Sequence, residues 1–139
     1  MVGNQTFQGS PAVMVDGGVH QRADMCGLSL RSNQEPPLVL DSDYSALTPT
    51  DVLGCLSLPD DVMLEASPLP ELSPGDVLAF GHAGAYGLWS SPVIFHGSPL
   101  PAEVACEGSE IHLMRKRKPA QSILEAQHHV TQKSVTTPM

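Results

Sequence analysis

The hydrophobic positions of this chain fall into short runs that glycine, proline and small polar residues separate. Short apolar or alternating runs between turn formers predict β-strands. Such runs occupy residues 11–19, 34–40, 62–64, 76–80, 92–95, 102–106 and 110–117. Residues 50–56 suit either a strand or a short helical turn with Thr50 as its cap. The pattern therefore predicts a mainly β chain of about six to eight short strands, arranged as a mostly antiparallel barrel or sandwich.

One segment near the C-terminus has helical spacing instead. Within residues 120–129, Ile123, Leu124 and Gln127 recur at the helical interval, and Pro119 suits the first turn of a helix. A chain of 139 residues fits one domain. We therefore expect an N-terminal loop at 1–10, a single antiparallel β-barrel with a short C-terminal helix over 11–129, and a flexible tail at 130–139.

The strongest turn signal is Ser73-Pro74-Gly75-Asp76. Proline suits the second position of a type II turn, and glycine suits the third position because that position needs a positive φ. We therefore expect a type II turn here, followed by a strand from Asp76 to Phe80.

The charge is uneven along the chain, with a formal net value of −8. Residues 1–114 hold two basic and fourteen acidic side chains, whereas residues 115–139 hold five basic and one acidic. An acidic body argues against nucleic acid as the main ligand, since phosphate binding needs a basic face. We interpret the run Arg115-Lys116-Arg117-Lys118 as a solvated strand end in preference to an anion site.

The sequence also gives expectations for the cellular compartment. It has no apolar run long enough for a membrane span and no signal peptide at its N-terminus. The three cysteines, Cys26, Cys55 and Cys106, form no CxxC motif and no disulfide framework. We expect reduced, mostly buried thiols in a cytoplasmic protein.

Candidate chemistry concentrates between residues 80 and 95. Four of the six aromatic residues lie there, around a run of small residues at 81–87 that would let a ligand approach the backbone. These aromatic side chains form either the wall of a pocket or a plain hydrophobic core around a hairpin at 76–95. His82 is the best acid–base or hydrogen-bonding candidate, with a surface histidine as the alternative. The histidine spacing predicts no metal site, and the chain has no nucleophile elbow, dinucleotide fingerprint or P-loop.

The order of several segments resembles the C-terminal β-barrel domain of the fold type III pyridoxal-phosphate decarboxylases. That family includes the diaminopimelate, ornithine and arginine decarboxylases and enzymes that act on carrier-bound amino acids. The similar segments are the opening strand and turn (13–20), part of the active-site segment (48–54), a turn (69–76), a Gly-Ala-Tyr motif (83–87), two closing strands (101–104 and 113–117) and the final helix (120–129).

The resemblance implies specific roles and one departure. Tyr86 matches the family's tyrosine that reaches the cofactor phosphate, and Asp51 matches the aspartate that closes the active-site segment. Leu47 stands where the family has the cysteine that helps to supply a proton after decarboxylation. The family's cofactor barrel, with its cofactor-binding lysine and phosphate loop, is absent. We therefore expect no pyridoxal cofactor and no decarboxylation by this chain alone.

Our main hypothesis is a repurposed stand-alone barrel. The face that the cofactor barrel covers in complete enzymes would present an apolar cleft, and such a cleft suits a hydrophobic polyene or polyketide. Orientation in this cleft would promote a cofactor-independent cyclisation or cycloaddition in natural-product biosynthesis. The expected catalytic residues are Tyr86, His82 and Asp51, and the expected substrate-binding residues are Tyr44, Leu47, Phe80 and Trp89.

The alternative hypothesis is an interaction module. The chain would then be a non-catalytic or regulatory partner subunit of a split decarboxylase whose cofactor barrel is a separate protein. A homo-oligomer is open under both hypotheses, and a fragment of a longer protein is a third reading. The polar start at Met1 favours an independent gene.

Overall fold

The structure, a computed structural model, describes residues 3–22, 35–82 and 88–127 of the chain, leaving aside the side chain of Asn4. The chain divides into two compact units, residues 1–96 and 97–139. In chain order the strands are β1 (Gly3–Phe7), β2 (Ser10–Met14), β3 (Leu38–Val39), β4 (Thr48–Leu53), β5 (Val62–Leu69), β6 (Leu78–Ala79), β7 (Glu103–Glu107) and β8 (Glu110–Arg115). Short 3₁₀ turns lie at Val19–Gln21, Phe95–Gly97 and Ala120–Ala126.

The first unit contains a four-stranded sheet in the order β1-β2-β4-β5. Strand β1 lies within residues 1–10, which were expected to form a loop, and pairs antiparallel with β2. Gln8 and Gly9 join the two strands with φ values of 50° and 89°. Two consecutive positive φ values define the type I′ turn that favours a tight hairpin. The turn therefore pairs the polar segment of β1 with β2, so that it forms a strand although its composition is typical of a loop.

The strand pairing does not form one antiparallel barrel. Strand β2 pairs in parallel with β4, because the chain reaches β4 by a long crossover instead of a hairpin. Strands β3 and β6 form a separate two-stranded sheet, and so do β7 and β8. The predictions of a mainly β chain and of a short C-terminal helical element are confirmed. In the part of the chain that the structure describes, the sheets do not close into a barrel.

The edge of the large sheet carries a β-bulge at Asp51. Thr50 pairs with Ser67 and Val52 with Leu64, so β5 has one extra residue here. Ala66 in this bulge has a φ of 47°, and its N–H donates to Asp51 Oδ1 at 2.8 Å. Strand β5 extends further through the proline-containing segment than the sequence pattern predicts. It tolerates proline because it is an edge strand.

The core of the first unit comes from alternating residues of the strands. It consists of Val13, Val15, Val39, Val52, Met63, Leu64, Leu69 and Leu72, with Val19, Leu78 and Phe80 packed against it. The type II turn expected at 73–76 is confirmed. Gly75 has a φ of 104°, and the Asp76 N–H donates to the Ser73 carbonyl at 3.1 Å. This turn leads the chain into β6, as the sequence predicts.

The second unit consists of the β7–β8 hairpin and the 3₁₀ turn Ala120–Ala126. This 3₁₀ turn replaces the longer helix expected at 120–129, of which residues 128 and 129 lie outside the described part. No residue of 97–127 is buried. The strand expected at 92–95 is also wrong, since residues 93–97 form a turn that ends in the 3₁₀ segment Phe95–Gly97.

A buried carboxylate joins two loops of the first unit. Asp61 is 4 % exposed, and its two carboxylate oxygens accept the N–H groups of Val19 at 2.9 Å and Leu56 at 2.7 Å. The backbone carbonyl oxygen of Asp61 accepts the N–H of Gly54 at 2.8 Å. A Cβ atom at Gly54 would overlap this carboxylate, so only glycine permits the close approach.

We predict that Asp61→Asn lowers the free energy of unfolding by about 2–4 kcal/mol, because an amide can accept only one of the two N–H groups and leaves the other unsatisfied. Denaturant unfolding followed by circular dichroism measures this loss. The exposed neighbour offers a matched control, and Asp60→Asn should change stability by less than about 0.5 kcal/mol. Equal losses for the two variants would contradict the role assigned to Asp61.

Candidate functional site

A groove of about 330 Å³ lies along the segment that resembles the family's active-site segment. We call it the threonine groove. Its lining residues are Gln5, Pro11, Ala12, Val13, Ala46, Thr48, Thr50, Pro70, Glu71 and Leu72. Thr50 Oγ1 already donates to the Thr48 carbonyl at 3.0 Å, so that hydroxyl proton is engaged. The apolar floor and the Gln5 and Glu71 side chains suit a small ligand that carries a polar or cationic group.

A second groove, of about 620 Å³, includes Asp51, Asp60 and Glu65 in its lining. Asp51 was expected to be catalytic. It is half-buried, and its Oδ1 accepts the N–H of Ala66, which stabilises the bulge. The observed role of Asp51 is therefore structural, and a catalytic role for it stays a prediction.

The other expected catalytic residues lie at the edge of the described region. His82 is exposed, has a φ of 55°, and its Nε2 lies 3.0 Å from Glu35 Oε2. Its position matches the surface-histidine alternative. Tyr86 lies outside the described residues, together with the rest of 83–87.

The four expected substrate-binding residues lie in different environments. Tyr44 and Leu47 are 43 % and 48 % exposed, and Trp89 is 85 % exposed. Phe80 packs against the core instead, with the Arg22 guanidinium carbon 5.5 Å from its ring centroid. Neither groove is lined by Leu47, Phe80 or Trp89. A shared cleft formed by these side chains stays a prediction.

Tyr44 has a contact that the sequence did not indicate. Its hydroxyl accepts the N–H of Val39 at 2.6 Å and donates to the Val39 carbonyl at 3.3 Å. The phenol thus satisfies both backbone groups of one residue at the open edge of β3. This hydrogen bonding fixes the start of the segment 44–51 against the β3–β6 sheet.

The β3–β6 sheet is apolar on both faces. Val39 and Leu78 are opposite each other, and both pack in the core. The outer face carries Leu38 opposite Ala79, and Leu40 beside Val77, whose carbonyl accepts the Leu40 N–H at 3.0 Å. The side chains of Leu38, Leu40 and Val77 are 57 %, 45 % and 53 % exposed. We call this outer apolar surface the β3–β6 face. Contiguous exposed apolar surface is typical of a protein or ligand interface.

The described region contains two of the three cysteines. Cys55 and Cys106 are free and exposed, so the expectation of mostly buried thiols is wrong for both. Partial burial raises the pKa of the Cys55 thiol, and the Asp61 carboxylate adds to the shift. The thiol donates weakly to the Asp16 carbonyl at 3.6 Å. Cys26 lies outside the described residues.

His20 is a buried polar residue that the sequence pattern did not single out. It is 2 % exposed, and neither ring nitrogen has a hydrogen-bond partner. Burial lowers the pKa of His20 below its usual 6.5; the Asp61 carboxylate opposes this shift, and His96 adds to it. His20 is therefore neutral at physiological pH. The sequence feature that could have pointed to the burial of His20 is its position shortly after the turn-forming residues Asp16-Gly17-Gly18.

Comparison with known proteins identifies the family. Residues 2–84 match the model of the pyridoxal-dependent decarboxylase C-terminal sheet domain. The chain belongs to this family. The sheet domain of a crystallised diaminopimelate decarboxylase superimposes on 92 % of the chain and 33 % of that protein, with a TM-score of 0.76 and 26 % identity. The Helicobacter pylori diaminopimelate decarboxylase, crystallised with L-lysine, covers 89 % of the chain with a TM-score of 0.71 and 26 % identity.

Curated relatives of the sheet domain are whole decarboxylases. The L-glutamyl-[BtrI acyl-carrier protein] decarboxylase of Niallia circulans is 35 % identical over 125 residues, which are 86 % of this chain and 29 % of that enzyme. A diaminopimelate decarboxylase of Helicobacter pylori strain J99 is 39 % identical over 72 residues, 52 % of this chain and 18 % of that enzyme. The chain thus spans less than a third of the length of these relatives.

The described residues of this sheet domain do not by themselves fit a pyridoxal cofactor. The lysines that the structure describes, Lys116 and Lys118, are exposed on an extended segment. A lysine that binds the cofactor covalently needs a shielded site.

Within residues 3–22, 35–82 and 88–127, no group of three or more His, Cys, Asp or Glu residues is placed to hold a metal ion. In the same ranges, no helix is long and apolar enough to cross a membrane.

We predict that the free energy of unfolding decreases as the pH falls below about 6.5. The reason is that His20 then binds a proton in the unfolded chain, whereas burial keeps it neutral in the folded chain. The slope from this one group is at most about 1.4 kcal/mol per pH unit. Urea unfolding of the wild type and of His20→Gln between about pH 8 and pH 5 measures the difference, and the variant should have the flatter profile.

His82→Gln supplies the control, because it replaces an exposed histidine and keeps the buried His20, so it should retain the loss of stability at acid pH that His20→Gln reduces. A profile that is equally steep in the wild type and in His20→Gln would show that another group causes the loss at acid pH.

Proposed function

We propose that this chain is the C-terminal sheet domain of a pyridoxal-dependent decarboxylase that acts on an amino acid attached to a carrier protein. The cofactor-binding barrel would be supplied by another polypeptide or by another part of a longer one. The observation that carries the proposal is the match of 86 % of this chain to only 29 % of the Niallia circulans enzyme. The chain is too short to contain a TIM-type barrel of about 250 residues as well.

The β3–β6 face supports a role in assembly. A two-stranded sheet that is apolar on both sides is stable when both sides are covered, and here only the inner side meets the core. Leu38, Leu40 and Val77 form an outer surface that a barrel subunit or domain would bury. The adjacent segment 44–51 would then lie at the edge of the same interface, because the Tyr44 hydroxyl holds it to Val39.

Leu47 limits what the assembled site can do. The resemblance implies a proton-donating cysteine at this position, and an aliphatic side chain has no acidic proton. General acid catalysis contributes typically about 10²–10⁴-fold to a rate. An assembly built with this chain would therefore be slow or non-catalytic, as expected of the regulatory partner subunit in the alternative hypothesis.

The comparisons give no support to the cyclase hypothesis, and the structure offers it little. Trp89 is almost fully exposed, and Phe80 contributes to the core. The related enzymes named above are decarboxylases. The decarboxylase-related role is therefore the one that we propose.

A chimera can carry residues 2–127 of this chain in place of the sheet domain of the Niallia circulans enzyme. We predict that Leu47→Cys raises the decarboxylation rate of this chimera by about 10²-fold, because the thiol restores the missing acid. The absorbance of the bound pyridoxal cofactor shows that each chimera is assembled. Carbon dioxide release from the glutamyl carrier protein measures the rate.

Leu58 provides a matched control, since it is 41 % exposed, close to the 48 % of Leu47, and lies outside the active-site segment. The chimera with Leu58→Cys should keep the low rate of the parent chimera. Equal rates for the two thiol variants, in chimeras that hold the cofactor, would refute the role assigned to position 47.

We predict that Leu40→Asp weakens the association of this chain with a separately produced cofactor barrel of the Niallia circulans enzyme by about tenfold or more, because the interface would bury an unpaired charge. Analytical ultracentrifugation of mixtures measures the affinity. Leu58→Asp should bind like the wild type. If Leu40→Asp retains full affinity, the β3–β6 face is not the interface.

A further inference from the structure

The β7–β8 hairpin of the second unit ends in a run of four cationic side chains. Arg115 is the last residue of β8, and Lys116, Arg117 and Lys118 follow it directly. These three following side chains are exposed, and none of them forms an ion pair with another described residue. We call residues 115–118 the basic segment.

Hydrogen bonds hold the basic segment extended at both of its ends. At its start the Arg115 guanidinium donates to Glu103 Oε2 at 2.8 Å and to the Pro101 carbonyl at 3.3 Å. At its end the backbone of Lys118 pairs with that of Leu100 through two hydrogen bonds, of 2.8 Å and 3.1 Å. A segment that is already ordered loses less conformational freedom when a partner binds. The structure therefore presents the cations on a fixed backbone.

A β-bulge separates the lysines of the basic segment from the carboxylates of the hairpin. Glu103 pairs with Arg115, whereas Val104 pairs with Leu113, so β8 has one extra residue between these pairs. Because side chains alternate along a strand, Arg115 shares a face with the three glutamates of the hairpin, and Lys116 lies on the opposite face. The positive charge of the lysine face is therefore not cancelled by a carboxylate of the hairpin.

The charge of the rest of the chain favours the basic segment as the contact for an anionic partner. Residues 1–114 hold two basic and fourteen acidic side chains, which repel an anion. A long polyanion such as DNA needs a continuous basic face, which four residues do not provide. A compact protein with one local anionic surface needs only a local cluster of cations. Charge complementarity would also orient such a partner on the basic segment.

We propose that the basic segment binds the carrier protein that presents the amino acid to the decarboxylase. This inference rests on the proposed function, under which the substrate is attached to a carrier protein, as in the Niallia circulans relative. An acyl-carrier protein holds its acyl group as a thioester on a phosphopantetheine arm, and a phosphodiester joins that arm to the protein. The carrier therefore brings a negative charge to the point where the arm leaves its surface. Lysine and arginine bind phosphate through charge-assisted hydrogen bonds.

The proposed contact holds the carrier protein and does not touch the reacting atoms. Neutralising the cations should therefore weaken carrier binding and raise KM while kcat is unchanged. Because the ion pairs are exposed, the contact is weak and salt weakens it further.

Neutral substitutions in the full chain test the contact. The test variant carries Lys116→Gln, Arg117→Gln and Lys118→Gln. Its dissociation constant for the L-glutamyl-[BtrI acyl-carrier protein] should be about tenfold or more above that of the wild type, because three ion pairs are lost. Fluorescence anisotropy of the labelled carrier protein at low and high salt measures the affinity. The salt dependence should be smaller in the variant. The carrier protein without its arm should bind the wild type more weakly.

A matched control makes the same change in net charge at other exposed positions of the second unit. It carries Ser109→Glu, Gln121→Glu and Gln127→Glu, and its affinity should stay within about threefold of the wild type. Circular dichroism shows that each variant keeps its fold. Equal weakening in the two variants overturns the proposal in favour of a net-charge effect. A wild type that does not bind the carrier at low salt also overturns it, as does tighter binding of a DNA duplex than of the carrier.

The chimera with Leu47→Cys separates this inference from the proposed function. The three glutamine substitutions should raise its KM for the glutamyl carrier protein by about tenfold and leave kcat unchanged. An unchanged KM would refute the carrier contact, while turnover of the carrier-bound glutamate would still support the proposed function. A chimera that holds the cofactor and releases no carbon dioxide would contradict the proposed function. The binding measured with the separate chain then decides the carrier contact on its own.

Discussion

The buried carboxylate of Asp61 is the interaction on which the first unit depends. It accepts backbone N–H groups from the loop after β2 and from the loop after β4, while its own carbonyl accepts a third. Strands β2 and β4 are parallel neighbours, so their ends lie together, and no tight turn joins them. The carboxylate takes the place of that turn. Gly54 is required because a side chain there would occupy the position of the carboxylate.

The burial of His20 follows from the same loop. The Asp61 bond to Val19 holds the 3₁₀ turn that carries His20 inside the protein, where its ring nitrogens have no partners. A neutral imidazole tolerates this environment better than a charged one. The arrangement links the conformation of this loop to pH, because protonation of His20 would place a charge in the buried environment.

The two small sheets connect the fold to the proposed assembly. The β3–β6 sheet covers the core with one face and exposes Leu38, Leu40 and Val77 on the other. The β7–β8 hairpin is exposed on both faces. Isolated two-stranded sheets are marginally stable in water. Both surfaces therefore suit contacts with other polypeptide chains, which agrees with a domain that spans less than a third of its relatives.

The sequence alone determined the elements that local chemistry controls. Proline and glycine at 74 and 75 set the type II turn, alternating patterns set β7 and β8, and ordered segments identified the decarboxylase sheet domain. Tertiary structure decided the rest. The polar strand β1 exists because a type I′ turn pairs it with β2. The Tyr44 hydroxyl binds the backbone of Val39 at the edge of β3, and the Asp51 carboxylate binds the N–H of Ala66 in the bulge of the neighbouring strand. Parallel pairing and the Asp61 contacts join residues far apart in sequence, and no local pattern of side chains encodes such contacts.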